Sequence, residues 1–232
     1  MNLILEGLIK AFWLIASFDQ EVYSIMFLTL RVSGTAVAIG ALIGIPLGAG
    51  IGLKDFFGKR FLISVINTLM GLPPVVVGLF VYLLLSTSGP LGAFQLLYTP
   101  TAMIIAQLII AIPIVIGMTF SSVSSIDKTI HDKALSLGAT KMQLMVTILK
   151  EAKTGLLTAI IAAFGGAISE VGAVMIVGGN IRWATRVLTT AIVMETELGR
   201  FDVAIALGII LLLLAFTINW VLTRMQWSGL KK

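Results

Sequence analysis

The sequence contains no cysteine, and its single histidine is His131. The absence of cysteine excludes disulfide bonds, a thiol nucleophile and thiolate metal ligands. Because imidazole groups are also the commonest nitrogen ligands of zinc, one histidine leaves little from which to build such a site. We therefore expect no metal centre and no metal-dependent chemistry.

Charge is scarce as well. Charged residues make up 12% of the 232 positions, whereas soluble domains contain about 25%. Hydrophobic residues make up 58%, and the mean hydropathy is +1.07. This composition indicates an integral membrane protein. In a membrane protein the distribution of Lys and Arg between loops matters more than the net charge. The net charge of +5 therefore does not indicate a nucleic-acid partner.

Motifs for catalysis are missing too. An intramembrane enzyme would require a Ser/His pair, two membrane aspartates or HExxH, and the sequence contains none of these, so we expect no catalytic residue. The glycine-rich segment 48–54 lacks the GxxxxGKS/T spacing of a phosphate-binding loop and follows no predicted strand. Its glycines are more typical of close helix packing.

Five apolar runs are long enough to cross a bilayer, which requires about 20 residues of helix. They cover residues 22–53, 61–85, 101–121, 156–178 and 203–223. We therefore predict an all-α membrane protein with about five transmembrane helices. The first run is too long for one straight crossing and contains a proline and several glycines, so it should tilt, kink or continue past the lipid.

Residues 1–20 precede these runs and form a separate element. Glu6 and Lys10 lie four residues apart on an otherwise apolar segment with Trp13 near its end. This pattern predicts a helix in the membrane interface, followed by a transmembrane domain over residues 21–232. A cleaved signal peptide is the alternative, but no basic segment precedes the apolar part and no convincing cleavage site follows it.

The distribution of basic residues predicts the orientation, because Lys and Arg concentrate in cytoplasmic loops. The joins after the first, third and fifth spans carry Lys54, Lys59, Arg60, Lys128, Lys133, Lys141, Lys150, Lys153, Arg224, Lys231 and Lys232. The opposite side carries Lys10, Arg182, Arg186 and Arg200. We therefore predict an outside N-terminus and a cytoplasmic C-terminus.

The cytoplasmic loop 122–153 is the one extended polar stretch of the chain. Ser125 or Asp127 can cap a short helix, and Gly138 can take the left-handed conformation that ends it. Residues 140–143 match a Thr-x-x-Gln capping box, which begins a second helix. The loop should therefore be two helices joined by a sharp turn.

This loop resembles the EAA loop of ABC importer permeases. In that family an acidic residue and two alanines are followed, six residues on, by Gly-Ala. The matching positions are Asp132, Ala134, Gly138 and Ala139, whereas Lys133 replaces one alanine.

Other segments resemble the oxyanion permeases of that family. Residues 71–78 (GLPPVVVG) resemble their Pro-Pro span, and residues 169–172 (SEVG) with 178–181 (GGNI) resemble their GEFG and GNI segments. Residues 179–196 are most similar to tungstate permeases, and molybdate and sulfate permeases come next.

The resemblance implies a type I ABC importer permease of the prokaryotic cell membrane. Two copies of the chain would form the translocation pathway, two ATPase subunits would bind from the cytoplasm, and an extracytoplasmic binding protein would deliver the oxyanion. Tungstate is the expected substrate, with molybdate or sulfate as the alternatives. ATP and Mg²⁺ would bind to the ATPase, so we expect no cofactor on this chain. A membrane scaffold without transport is a further alternative.

The same resemblance makes part of the loop a candidate for coupling to the ATPase. The candidate residues are Asp132, Ala134, Leu135, Leu137, Gly138 and Ala139. We expect the apolar side chains of Ala134, Leu135 and Leu137 to enter a cleft of the ATPase. Gly138 and Ala139 would allow a close backbone approach.

Arg31 and Glu170 are ionisable residues inside predicted spans, where a charge costs about 2.5 to 3.5 kcal/mol on insertion scales. Counting about 1.5 Å per residue places them at similar depths. We therefore expect them to be in contact, within one copy or between two, either as a simple buried pair or as part of a gate. A carboxylate repels a dianion, so Glu170 is a poor oxyanion ligand.

Asn180, Thr185 and Arg186 at the outer mouth are better candidates for contact with an oxyanion, because they can donate hydrogen bonds. Alternatively, Arg182 and Arg186 pair with Glu195, Glu197 or an acidic surface of the binding protein.

Pro73 and Pro74 remove two neighbouring backbone donors from the second span. This predicts a bend at that point. Since irregular backbone inside a membrane is tolerated where it lines a cavity, the bend is a candidate for the translocation path. An inert packing kink is the alternative.

Overall fold

The computed structural model describes residues 3–228, which form only helices, turns and irregular segments, without a β-strand. The helices are α1 (Leu3–Ala16), α2 (Gln20–Leu53), α3 (Lys59–Met70), α4 (Pro74–Leu85), α5 (Pro100–Ser124), α6 (Lys128–Ser136), α7 (Lys141–Glu151), α8 (Lys153–Ile168), α9 (Gly172–Gly178), α10 (Leu188–Glu197) and α11 (Phe201–Ser228), with a short 3-10 helix at Gly92–Phe94. The predicted all-α class is confirmed. Lys231 and Lys232 of the orientation argument lie outside the described residues.

Three of the predicted spans are continuous helices that are long and apolar enough to cross a bilayer, namely α2, α5 and α11. The other two are each broken into a pair of helices. The chain bends by 94° between α3 and α4, and by 56° between α8 and α9. The break in 61–85 was predicted at Pro73 and Pro74, whereas the break in 156–178 was not, and each bent pair accounts for one span.

Helix α2 is a single helix of 34 residues, which corresponds to about 51 Å and exceeds the roughly 30 Å of the hydrocarbon core. Pro46 lies inside this helix without ending it. The first predicted run therefore continues past the lipid as helix, one of the three outcomes expected for it.

Close packing of α2 on α5 forms the centre of the molecule. A Cβ atom on Gly48 would lie 2.6 Å from the carbonyl oxygen of Ile116, and one on Gly52 would lie 2.7 Å from the Val123 side chain. Both distances are too short for any residue larger than glycine. The expected packing role is therefore confirmed at these two positions. Gly50, between them, faces open space.

Helix α1 packs against the first turns of α11. Gly7 lies against the Ile205 side chain, and the Lys10 ammonium forms an ion pair of 2.5 Å with Asp202. The partner of Lys10 lies almost two hundred residues away in sequence, which is why no local pattern indicated it. That residues 1–20 lie in the membrane interface stays a prediction.

Candidate coupling helix and translocation site

The loop at 122–153, predicted to be cytoplasmic, folds into the two predicted helices, α6 and α7. The Asp127 carboxylate caps α6 by accepting hydrogen bonds from the Thr129 hydroxyl and from the Thr129 backbone N–H, at 2.5 and 2.8 Å. These two bonds lower the pKa of Asp127, and the nearby Lys133 lowers it further. The predicted start of the first helix is thus confirmed, with Asp127 rather than Ser125 as the cap.

Gly138 forms the turn between the two helices with φ +79°, a conformation that favours glycine. Its N–H donates to the Leu135 carbonyl at 2.9 Å, and the Ala139 N–H donates to the Ala134 carbonyl at 3.1 Å. Thr140 then begins α7 with both bonds of the predicted capping box. The turn that the sequence indicated is therefore present with its hydrogen bonds.

The side chains of α6 and of Leu137, which directly follows it, face in two directions. Leu137 is 88% exposed and Leu135 is 48% exposed, and Asp132 also faces solvent. Ala134 instead packs against the hydrophobic cluster that contains Val123 and Ile148. Of the three apolar residues expected to enter the ATPase, Ala134 therefore contacts this chain's own core and Leu135 lines a groove beside α2, which leaves Leu137 exposed. A Cβ on Gly138 would meet nothing within 4 Å, so within this chain its backbone conformation, and not lack of space, calls for glycine.

The two broken spans meet each other inside the molecule. A Cβ on Gly78 of α4 would lie 2.6 Å from the Cα of Ala173 in α9, and a Cβ on Gly172 would lie 2.6 Å from the Val75 side chain. Only glycine at both positions permits this approach. The short helices α4 and α9 therefore pack side by side, with the break of each span at their N-terminal ends.

Proline explains the first break directly. Pro73 is the N-cap of α4 and Pro74 is its first residue, a position that suits proline because the N–H there has no helical partner. Pro73 is exposed, and Pro74 is half-buried. The predicted bend is thus present.

Glu170 stabilises the second break, between α8 and α9. Its Oε1 accepts a hydrogen bond of 2.9 Å from the Ala173 N–H at the start of α9. Its backbone carbonyl accepts a hydrogen bond of 2.9 Å from the Thr189 hydroxyl. Glu170 is thus a capping residue of the broken span.

Arg31 does not pair with Glu170 within this chain. Arg31 is exposed on α2, and its side chain makes no hydrogen bond or ion pair within residues 3–228. The partner that we expected inside the chain caps α9 instead. The variant of the hypothesis in which the contact forms between two copies stays a prediction.

Two residues at the second break were missed by the sequence analysis. The Gln107 Nε2 donates to the Ala167 carbonyl at 2.8 Å, and the Ser33 hydroxyl donates to the same oxygen at 3.3 Å. Both side chains are almost completely buried. These bonds come from α5 and α2 and satisfy a carbonyl at the end of α8. A buried glutamine in an apolar span was the available signal, since such residues need an internal partner.

Residues 178–187, predicted to lie at the outer mouth, are held by their own hydrogen bonds. Gly179 and Asn180 both have positive φ, at 70° and 50°. Thr185 is fully buried, and its hydroxyl donates to the Gly178 carbonyl at 2.5 Å and accepts from the Ile181 N–H at 2.9 Å. Thr185 therefore shapes this turn and is not available to contact an oxyanion, which corrects its assignment.

The arginines of this segment bind Glu21 at the start of α2. Arg182 donates to both carboxylate oxygens, at 2.9 and 2.5 Å, and Arg186 donates to Oε1 at 3.2 Å. The bonds to Glu21 raise the pKa of Arg182. Glu195, one of the expected partners, instead pairs with Arg200 at 2.7 Å. These arginines therefore do pair with a carboxylate, but the expected partners within the chain, Glu195 and Glu197, are replaced by Glu21.

Groups of His, Asp or Glu that could hold a metal ion do not occur among residues 3–228.

Residues 44–226 match the model of the family described as binding-protein-dependent transport system inner membrane component. The chain is 47% identical over 226 residues to the tungstate uptake system permease protein TupB of Peptoclostridium acidaminophilum, which covers 97% of this chain and 99% of that protein. It is also 47% identical to a probable anion ABC transporter permease protein of Haloferax volcanii, over 84% of this chain and 87% of that one.

Solved structures share the fold. A bacterial alginate ABC transporter, determined with an alginate pentasaccharide-bound periplasmic protein, superposes with a TM-score of 0.75 at 18% identity, over 92% of this chain and 81% of that chain. This likeness confirms the predicted type I importer permease fold.

Proposed function

This chain belongs to the family of binding-protein-dependent transport system inner membrane components, and we propose that it is the transmembrane subunit of an ATP-driven tungstate importer. The observation that carries the proposal is the 47% identity to a tungstate uptake permease over nearly the whole of both chains. Molybdate has nearly the same size and charge as tungstate, so we assign the choice of anion to the binding protein. Hydrolysis of ATP belongs to a separate ATPase subunit.

The exposed side of α6 is the proposed docking surface for the ATPase. Leu137 and Asp132 face solvent there, while Ala134 on the other side packs into the hydrophobic cluster that contains Val123. That cluster joins α6 and α7 to Ala49 of α2 and Val123 of α5. Movement of a bound ATPase would therefore reach the two central spans through direct packing.

Two copies of the chain form the proposed translocation pathway. The exposed Pro73 lies at the break between α3 and α4, and irregular backbone at membrane depth requires a protein surface or water around it. Arg31 needs the same, since its charge has no partner among residues 3–228. We assign both residues to the surface shared with the second copy or to the pathway, and we retain Asn180 and Arg186 as candidates at the outer mouth.

An outside N-terminus and a cytoplasmic C-terminus complete the proposal. The end of α2 lies beside the start of α6, since Leu53 and Asp55 line one cavity together with Asp127, Lys128 and His131. Lys54, Lys128 and Lys133 therefore occupy one end of the molecule, which the positive-inside rule places in the cytoplasm. Arg182 and Arg186 lie with Glu21 at the opposite end of α2.

Substitution of Gly138 by aspartate tests the coupling role. Gly138→Asp places a charge and a side chain on the turn that we expect to approach the ATPase, so ATP-driven tungstate uptake should fall at least tenfold at an unchanged membrane level. Gly58→Asp is a matched control, because Gly58 is also exposed, has φ +84° and has open space for a Cβ. Uptake is measured in cells that express the chain with its ATPase and binding protein. Equal uptake by the two variants would contradict the coupling role.

A further inference from the structure

An apolar groove opens between α2 and the cytoplasmic helices. It has a volume of about 770 Å³, and Pro46 and Gly50 of α2, Leu135 of α6 and Met145 of α7 contribute to its walls. On the same end of α2, Leu42 and Leu47 are 76% and 51% exposed. Leu42, Pro46 and Gly50 follow one another at four-residue intervals, so they share one apolar face of α2. The groove is therefore continuous with this exposed apolar face.

Two lysines stand at the groove, Lys54 at the end of α2 and Lys141 at the start of α7. Neither side chain makes an ion pair or hydrogen bond within residues 3–228. No acidic residue is among the described residues that line the groove. By contrast, the neighbouring Lys59 is neutralised by Asp55 at 3.0 Å. The groove thus combines apolar walls with two uncompensated positive charges.

The charges and the apolar walls are separated along the membrane normal. Pro46 and Lys54 lie eight residues apart on α2, which corresponds to about 12 Å along the helix. The positive end is at the helix terminus, and the apolar part extends toward the middle of the span. A ligand for this groove needs a negative head and an apolar tail in the same order.

We propose that this groove binds an anionic phospholipid of the cytoplasmic leaflet, with its phosphate between Lys54 and Lys141 and an acyl chain along Gly50 and Pro46. A free anion would gain nothing from the apolar walls. A zwitterionic lipid would lack the net negative charge that the two lysines attract. Because the groove reaches Leu135 of α6, the bound lipid contacts the coupling helix directly.

Lipid binding to the isolated chain tests this proposal independently of transport. The chain is purified in detergent and titrated with phosphatidylglycerol or phosphatidylcholine, and bound lipid is counted by native mass spectrometry. Wild type should prefer phosphatidylglycerol, and inorganic phosphate should not displace it. The double variant Lys54→Gln/Lys141→Gln should lose affinity by about fivefold for each lysine, from about 1 kcal/mol per basic residue.

Matched variants separate the groove from general effects. Lys150→Gln/Lys153→Gln removes two exposed cytoplasmic lysines that do not line the groove and should keep the preference. Gly50→Leu fills the groove without changing charge, whereas Gly208→Leu adds the same side chain at another open glycine. Only the first of these should lose phosphatidylglycerol. Thermal melting of each variant checks that it is folded.

Several results would overturn the proposal. Equal binding of the two lipids by wild type would do so without any variant. Unchanged preference in both Lys54→Gln/Lys141→Gln and Gly50→Leu would show that lipid binds elsewhere. An equal loss in the Lys150→Gln/Lys153→Gln control would assign the preference to net charge alone.

Discussion

Polar side chains inside the apolar spans bind the chain's own backbone where helices break or turn. Glu170 caps α9, Gln107 satisfies the end of α8, and Thr185 holds the outer turn. In a membrane each unsatisfied backbone group costs several kcal/mol, so these bonds stabilise the irregular segments. The sequence identified Glu170 and Thr185 as unusual, but it could not show that their partners are backbone groups. The assignment of Thr185 was corrected for that reason, whereas contact of Glu170 with Arg31 of a second copy stays a prediction.

Glu170 should be replaceable by glutamine. Glutamine keeps an oxygen that can accept from the Ala173 N–H, whereas Glu170→Ala removes the cap of α9. We expect Glu170→Gln to retain most tungstate uptake and Glu170→Ala to lose most of it, with both compared at equal membrane levels. Loss of uptake in a folded Glu170→Gln variant would show that the charge itself is needed, as in a contact with Arg31 of a second copy.

Helices that follow from long apolar runs were predicted well, because burial in lipid favours continuous helix. The runs at 22–53, 101–121 and 203–223 correspond to α2, α5 and α11. The break at Pro73 was also predicted, since proline removes a donor at a known position. The break after α8 was not, because it depends on Gln107 and Ser33, which approach from other helices. Hydropathy alone does not report such contacts.

Gln107 should stabilise the second break. Gln107→Leu removes the bond of 2.8 Å to the Ala167 carbonyl, whereas Ser33→Ala removes one of 3.3 Å to the same oxygen. Buried hydrogen bonds of this kind contribute about 1 kcal/mol. We expect Gln107→Leu to lower the melting temperature of the detergent-purified chain more than Ser33→Ala does. The opposite order would contradict the assignment of Gln107 as the main donor.

On the scale of the whole molecule, composition and loop charges indicated a membrane protein and its orientation, and the motifs at 71–78 and 169–196 indicated its family. The family and the fold are confirmed by relatives and solved structures. Helices α6 and α7 were also predicted with their caps, because Asp127, Gly138 and Thr140 act through local hydrogen bonds. The Glu21 to Arg182 ion pair joins residues 161 positions apart and could not be predicted.

The absence of cysteine makes the orientation directly measurable, since an introduced cysteine is the only one in the chain. Leu137 and Trp183 are exposed at opposite ends of the molecule. The cells are first freed of any wall or outer membrane, with the cell membrane left intact. A membrane-impermeant maleimide should then label Trp183→Cys. It should label Leu137→Cys only after lysis. The reverse pattern would invert the proposed orientation.

Accumulation of tungstate in reconstituted vesicles tests the central claim most directly. The chain is reconstituted with its ATPase, ATP is supplied on the ATPase side, and tungstate is added with the binding protein on the other side. We expect tungstate to accumulate against its gradient only when the chain, the ATPase, the binding protein and ATP are all present. Accumulation without ATP, or none with the complete system, would contradict the account.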